Sequence, residues 1–277
     1  MKRNKVKIER RKLFLHLGPS IEVSLRDASD TDSLLVPTTI AHDAICLPRN
    51  QGKLELLEKE IVESRAENVI ISSEIYLPYL FTHIRNLNYR ARGQTDRISQ
   101  MVRSLSGTHD ISVVYYLRPV FDFLKFYFAE KSIFSNLPDR GQTKFEEFCQ
   151  IQKKQLFHYK NIESWKNTAG ISEVVVRPYT EKSFPRSNYL RDVFSATGVS
   201  FSGTYNDRYS QIDLGVTLPD IEISDSIATS YEEIYEDSKK VCEEFLEKKE
   251  KKIFLQTYSP FYGHDNSGFS LKRLFGL

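Results

Sequence analysis

Four short apolar runs constrain this chain more than any other feature: Leu13–Leu17, Val69–Ser72, Ile111–Leu117 and Ile171–Arg177. Each has the length of a strand rather than a helix, and a Gly, Pro or charged residue closes it. They are apolar almost continuously instead of alternating, as strands are when helices cover both faces of their sheet. Helix-length segments separate them. Gly52 opens one with Leu54, Leu57 and Ile61 on one face, extended by Leu56 and Val62, and its end is expected near Asn68. The pattern predicts an α/β fold, a parallel β-sheet flanked by helices, with the four strands in one orientation and their carboxyl ends open onto one cleft.

Further helices are expected at Thr38–Leu47, Tyr76–Asn88 and Thr95–Leu105, and after Pro119 through Phe121, Leu124 and Phe128. Others fall at Phe145–Trp165, at Tyr189–Ala196 with Gly198 as its C-cap, and at Tyr231–Lys252 with Ile234, Val241 and Phe245 inward. Pro19 to Pro48 reads as otherwise irregular, with turn formers from Asp27 to Ser33, and Ser202 to Ser224 is irregular too. The whole, 1–277, is expected to be one domain with a basic arm at 1–11 and a helical extension at 225–277.

Charge excludes more than it identifies. Lys and Arg number 39 against 37 Asp and Glu, so no global field argues for nucleic acid. Cys46, Cys149 and Cys242 are widely spaced, with no Cys-x-x-Cys, which indicates neither a disulfide framework nor a zinc site. Leu13–Leu17 is too short for a signal-peptide core, and no apolar stretch reaches the roughly 20 residues that span a bilayer. The expectation is a cytoplasmic protein with peripheral membrane contact at most.

In open α/β sheets ligands bind beyond the carboxyl ends of the strands. That rule selects His16 and Gly18, Glu74, Arg118 and Arg177. A carboxylate with two guanidiniums there suits an anionic substrate and a nearby base. Each has a plainer role as well: His16 as a core histidine, Glu74 as a helix cap, and the arginines, Arg177 above all, as partners of surface carboxylates.

The order of these segments resembles bacterial sulfotransferase-like proteins of surface-glycan biosynthesis. The matching residues are a first strand ending in His16-Leu17-Gly18-Pro19, then Ile71-Ser72-Ser73-Glu74, then Val113-Val114-Tyr115-Tyr116-Leu117-Arg118-Pro119. Trp165, Gly170-Ile171, Val174 to Tyr179, Asp192-Val193-Phe194 and Gly198-Val199 continue the match, so that it runs from about Lys12 to Val199. The resemblance implies a P-loop-like fold of three layers, with 3′-phosphoadenosine 5′-phosphosulfate (PAPS) as donor and a glycan or glycolipid hydroxyl as acceptor. It implies Gly18, Ser20, Ser24 and Arg118 at the donor, Arg118 on its 3′-phosphate. Glu74 falls at the base position, and His16 or His42 would steady the leaving group.

The chain departs from the family at the donor loop. Where the family has Lys-x-Gly-Thr-Thr or close to it, the Lys position is Ile21 and the Gly is Val23, while Ser24 keeps a hydroxyl. The serine that shares the 3′-phosphate with the arginine is Phe126. Losing an ion-pairing Lys in a dry site costs several kcal/mol, about 10²–10⁴ in rate. Three readings therefore stand: a PAPS-dependent transferase with a divergent loop, a non-catalytic or repurposed relative, and a glycan-modifying transferase with another nucleotide donor. The loop leads to the expectation that 3′-phosphoadenosine 5′-phosphate binds weakly or not at all.

Overall fold

The computed structural model describes residues 10–17, 33–36, 51–73, 99–118, 120, 121, 123–125, 128, 142–153, 156–179, 189–199 and 224–258. Five strands are present: β1 (Arg11–Leu17), β2 (Ser33–Val36), β3 (Asn68–Ser73), β4 (His109–Leu117) and β5 (Ile171–Pro178). They form one parallel sheet in the order β2-β3-β1-β4-β5, flanked by helices as a three-layer α/β fold. All four apolar runs are strands of this sheet, in one orientation. β1 and β3 pair with Leu13 opposite Val69 and Leu17 opposite Ser73.

β2 is the strand that the sequence pattern conceals. It lies inside the stretch expected to be irregular, pairing with β3 with Leu34 opposite Val69. Its brevity, the Asp and Ser residues before it and Pro37 after it give it no periodicity. As an edge strand it needs a partner on one side only.

The labelled helices are α1 (Gln51–Glu63), α2 (Gln142–Gln152), α3 (His158–Lys166), α4 (Tyr189–Thr197), α5 (Asp225–Ser230), α6 (Glu232–Phe245) and α7 (Lys248–Tyr258). Residues 99–105 are helical as well. Several boundaries correct the sequence reading. The helix expected over Phe145–Trp165 is two helices, and Tyr231–Lys252 is broken at Leu246, whose backbone is extended. On α6 the inward residues are Ile234, Tyr235, Asp237, Ser238, Val241 and Cys242, while Phe245 is only half-buried. α1 stops at Glu63, well short of Asn68, because Arg65 turns the chain with a φ of 56°. Leu54, Leu57 and Ile61 are its buried stripe, but Leu56 and Val62 are 65% and 44% exposed. The helices expected at Thr38–Leu47 and Tyr76–Asn88 lie outside the described residues.

Two units make up the chain: Met1–Val114 with Glu163–Val175 and Phe194–Tyr205, and Tyr115–Ile162 with Val176–Val193 and Asn206–Leu277. In the first, β1 and β3 bury Leu13, Leu17, Val69 and Ile70 almost completely, at about 1.5–3 kcal/mol per side chain. Gly170 has a φ of +99°, and a Cβ there would meet Val102 Cγ1 at 3.0 Å. Gly198, with φ 67°, ends α4 as expected, and the Val199 N–H reaches back to the Phe194 carbonyl at 3.1 Å. In the second, Tyr115, Tyr116, Leu117, Phe121, Phe145, Tyr231 and Phe254 are buried.

Candidate functional site

The strand order reverses at β1 and β4: the chain leaves β1 toward β2 and leaves β4 toward β5. Reversals of this kind are where open α/β sheets gather ligands, beyond the carboxyl ends. The carboxyl end of β4 belongs to the second unit, and a connected set of side chains surrounds it there.

Successive strand residues point to opposite faces, so Tyr115 and Tyr116 send their rings in opposite directions. Both are fully buried. Arg118 follows directly, half-buried, at the point where the strand ends. The Tyr179 N–H donates to the Leu117 carbonyl at 2.7 Å, which carries the β4–β5 ladder one step past Pro178 and sets Tyr179 beside Arg118. The guanidinium carbon of Arg118 lies over the Tyr179 ring, 4.7 Å from its centre, and 5.8 Å from the centre of the Phe123 ring.

The Tyr179 ring is held edge-on by two others. Tyr116 lies 6.4 Å away at 86°, and Tyr189 of α4 lies 5.3 Å away at 80°; Tyr116 and Tyr189 are themselves 4.9 Å apart. Behind them the Tyr116 hydroxyl donates to Asp192 Oδ2 at 2.7 Å. Asp192, also on α4 and 1% exposed, accepts from Arg177 Nη2 at 2.6 Å and Nε at 3.3 Å. Arg177 reaches Glu250 of α7 through Nη1 at 2.5 Å.

The chemistry of the two arginines differs accordingly. Arg177 is pushed above its ordinary pKa, chiefly by its hydrogen bonds to Asp192, and is engaged by two carboxylates. Of its two expected roles the ion pair is the one seen, although one partner is buried rather than at the surface. Tyr116 is raised well above the ordinary phenol value by burial and then by the Asp192 charge, so it acts as a hydrogen-bond donor. Arg118, by contrast, lies within cation–π distance of the Tyr179 ring.

The remaining candidates are not brought to this place by anything described. His16 lies in β1, in register with Ser72. Gly18, Ser20, Ser24, His42 and Glu74 lie outside the described residues, as do Ile21, Val23 and Phe126. The sequence reading did not single out the tyrosine triad or Asp192 as functional. The available signal was a Tyr-Tyr pair before Arg-Pro on β4 and a Tyr directly after Arg-Pro on β5. Among the described residues no group of three or more His, Cys, Asp or Glu is arranged to hold a metal. Cys149 and Cys242 are buried thiols whose pKa burial pushes up to about 12, which leaves them unreactive.

No protein-family model and no curated protein matches the chain. Among solved structures it is similar to one described under "Molecular and structural characterization of the PezAT chromosomal toxin-antitoxin system of the human pathogen Streptococcus pneumoniae". The identity is 10%, over 87% of this chain and 90% of that one, with a TM-score of 0.31. A likeness of that size says nothing about activity.

Proposed function

We propose that the chain is a cytoplasmic sulfotransferase-like protein whose β4 end takes the phosphate of a nucleotide donor, and that its acceptor is a glycan or glycolipid hydroxyl. One observation carries the reading: Arg118 directly follows the buried end of β4, half-buried, with its guanidinium carbon over the Tyr179 ring. A guanidinium so placed has the charge and in-plane donors that a phosphate requires, so this residue fits the 3′-phosphate of PAPS. The donor itself would supply the sulfuryl group. Arg118 binds and orients it; Glu74 takes the proton of the acceptor hydroxyl. Gly18, Ser20 and Ser24 offer backbone and hydroxyl donors to the other end of the nucleotide, without the lysine that usually shares that charge.

Calorimetry with 3′-phosphoadenosine 5′-phosphate at moderate salt tests the reading. The expected result is weak, salt-sensitive binding that Arg118→Ala abolishes and Glu74→Gln leaves intact while depressing transfer. Binding indifferent to Arg118→Ala would overturn the site. Complete absence of binding in the unaltered chain would favour the repurposed relative, a reading that Ile21 and Val23 already support.

A further inference from the structure

We propose that the outer face of α7 docks on an anionic lipid surface, which brings the carboxyl ends of β4 and β5 to a membrane and makes the acceptor a glycolipid. The docking face stands on its own observations; only the choice of acceptor rests on the reading of Arg118 as the donor site. All four lysines of α7, Lys248, Lys249, Lys251 and Lys252, fall in its first five residues, and its last turn has no basic residue. A helix dipole favours the reverse, since the amino end attracts carboxylates and repels cations. Ion pairs do not account for the cluster either: among the described residues none engages Lys248, Lys249 or Lys252. The stability of the fold therefore gives no reason for placing them there.

Helical geometry gathers them on one side. At about 100° per residue, Lys248, Lys249 and Lys252 share roughly a quarter of the helix surface, and all three are exposed. Glu250 and Phe254 take the opposite side, where Phe254 is fully buried and Glu250 accepts from Arg177 at the end of β5. That bond sets the lysine face about one helix diameter from the carboxyl end of β5, whose neighbour β4 leads into Arg118. Exposed Glu243, Glu244 and Glu247 come just before α7, so the attraction is that of a face in contact, not of the whole chain. A bilayer suits such a face better than a nucleic acid does. Lysine is a point charge that demands no acceptor geometry, and no aromatic stands among the exposed described residues of α7 to stack on a base.

Co-sedimentation of the full chain with vesicles tests the inference. The vesicles are phosphatidylcholine alone or phosphatidylcholine with about a third phosphatidylserine. Three lysines near an anionic surface should favour the mixed vesicles by about 10²-fold at low salt, an advantage that fades near 0.5 M salt. The triple variant Lys248→Glu, Lys249→Glu, Lys252→Glu should lose it. Two of these changes place carboxylates where the helix dipole favours them, so the variant should keep the unaltered circular dichroism. Equal binding to both vesicle types, or none to either, overturns the inference. So does a triple variant that binds as the unaltered chain does, which would assign the attraction to the basic arm at 1–11. Binding to a DNA or RNA oligonucleotide as tight as to the mixed vesicles would overturn the bilayer as partner. Calorimetry with 3′-phosphoadenosine 5′-phosphate keeps the two readings apart. Arg118-dependent binding in a chain that ignores vesicles ends the docking face and leaves the donor site, and the opposite pair of results does the reverse.

Discussion

Tyr115 and Tyr116 are neighbours on β4, yet their hydroxyls enter opposite kinds of surroundings. The Tyr116 hydroxyl meets a carboxylate, Asp192, whose charge is matched by the Arg177 guanidinium and extended to Glu250. The Tyr115 hydroxyl meets an imidazole, His158 Nδ1, at 2.7 Å, and Asn161 is hydrogen-bonded to the phenol as well. Burial pushes His158 down to about 4, so this imidazole is neutral at physiological pH. Near it the Tyr159 N–H donates to Asp237 Oδ2 at 2.8 Å, and burial raises that carboxyl to about 6 although Lys160 and Lys240 pull it back in part. One side of the strand keeps its charge by supplying a counter-ion. The other holds a neutral imidazole and a carboxyl whose proton burial makes harder to lose. The physical lesson is that burial alone does not decide ionisation; the partner does.

The largest effect should come from removing the matched carboxylate. Asp192→Ala leaves a part-buried guanidinium facing an empty acceptor position and deprives Tyr116 of its partner. We expect a loss of about 3 kcal/mol or more, read from urea unfolding by circular dichroism. Replacing both members, Asp192→Leu with Arg177→Met, should recover most of it, because an apolar pair has no charge to desolvate. A single-variant loss well below about 1 kcal/mol would show that the two sides of β4 do not differ as described.

Next in size is the neutral side. Tyr115→Phe strips a hydrogen-bond partner from a buried imidazole nitrogen and another from Asn161, at an expected cost of about 2 kcal/mol. Tyr116→Phe should cost less, about 1 kcal/mol, since Asp192 retains both hydrogen bonds from Arg177. The order of the two losses in matched unfolding curves is the informative quantity. A reversal would mean that the charged acceptor makes the more valuable bond.

Much of this architecture was open to reading from the sequence, and the limits have physical causes. The strands β1, β3 and β4 were legible because burial on both faces demands apolar runs, and such runs are conspicuous; β5, an edge strand buried only at Val176 and Pro178, was legible from its run of three valines. β2 was not, because four edge residues with one partner strand impose little on composition. Arg118 was legible by position alone, one residue past a strand end. Its support was not, because Tyr116, Tyr179 and Tyr189 come from β4, from the residue after β5 and from α4, and ring packing leaves no spacing in the sequence. Asp192 sits in the first turn of α4, where an acidic residue usually serves the helix dipole, and nothing in the chain marks it as the centre of a network.

A smaller effect, and one with a sign, concerns pH. Asp237 goes from 3.8 to about 6 on folding, so the folded state holds its proton more tightly than the open chain. Its contribution to stability is full below about pH 3.8 and is lost as pH rises through about 6. At pH 7 the buried charge is a net cost. Asp237→Asn keeps an acceptor for the Tyr159 N–H and should stabilise the protein there by about 1–2 kcal/mol, a gain that disappears near pH 4. His158 runs the other way: lowered from 6.5 to about 4, it contributes fully above 6.5 and loses that contribution as pH falls toward 4. The two therefore offset one another between pH 4 and 6 in the unaltered chain. Thermal melts across that window should show Asp237→Asn to be the more acid-sensitive protein, and parallel pH profiles would contradict the assignment.

The smallest effect separates the inner arm of the charged network from its outer one. Glu250 stands at the rim: its side chain is 15% exposed and that of Arg177 is 26% exposed, against 1% for Asp192. Glu250 also accepts the Glu247 N–H at 3.2 Å through Oε2, at the start of α7. Glu250→Gln keeps an oxygen for that cap and removes the charge while leaving Arg177 its Asp192 partner, so the expected loss is about 1 kcal/mol. Glu250→Ala should lose about 1 kcal/mol more, because the cap goes as well. Salt then tells the two arms apart. Near 1 M ionic strength the screening length falls to about 3 Å, and the Glu250→Gln difference should shrink toward zero. The Asp192→Ala difference should persist, since Asp192 itself is 1% exposed and meets Arg177 on its buried side. If both losses fade together in salt, the Asp192 pair is no better shielded than the rim, and the contrast between the two faces of β4 rests on neutral packing instead.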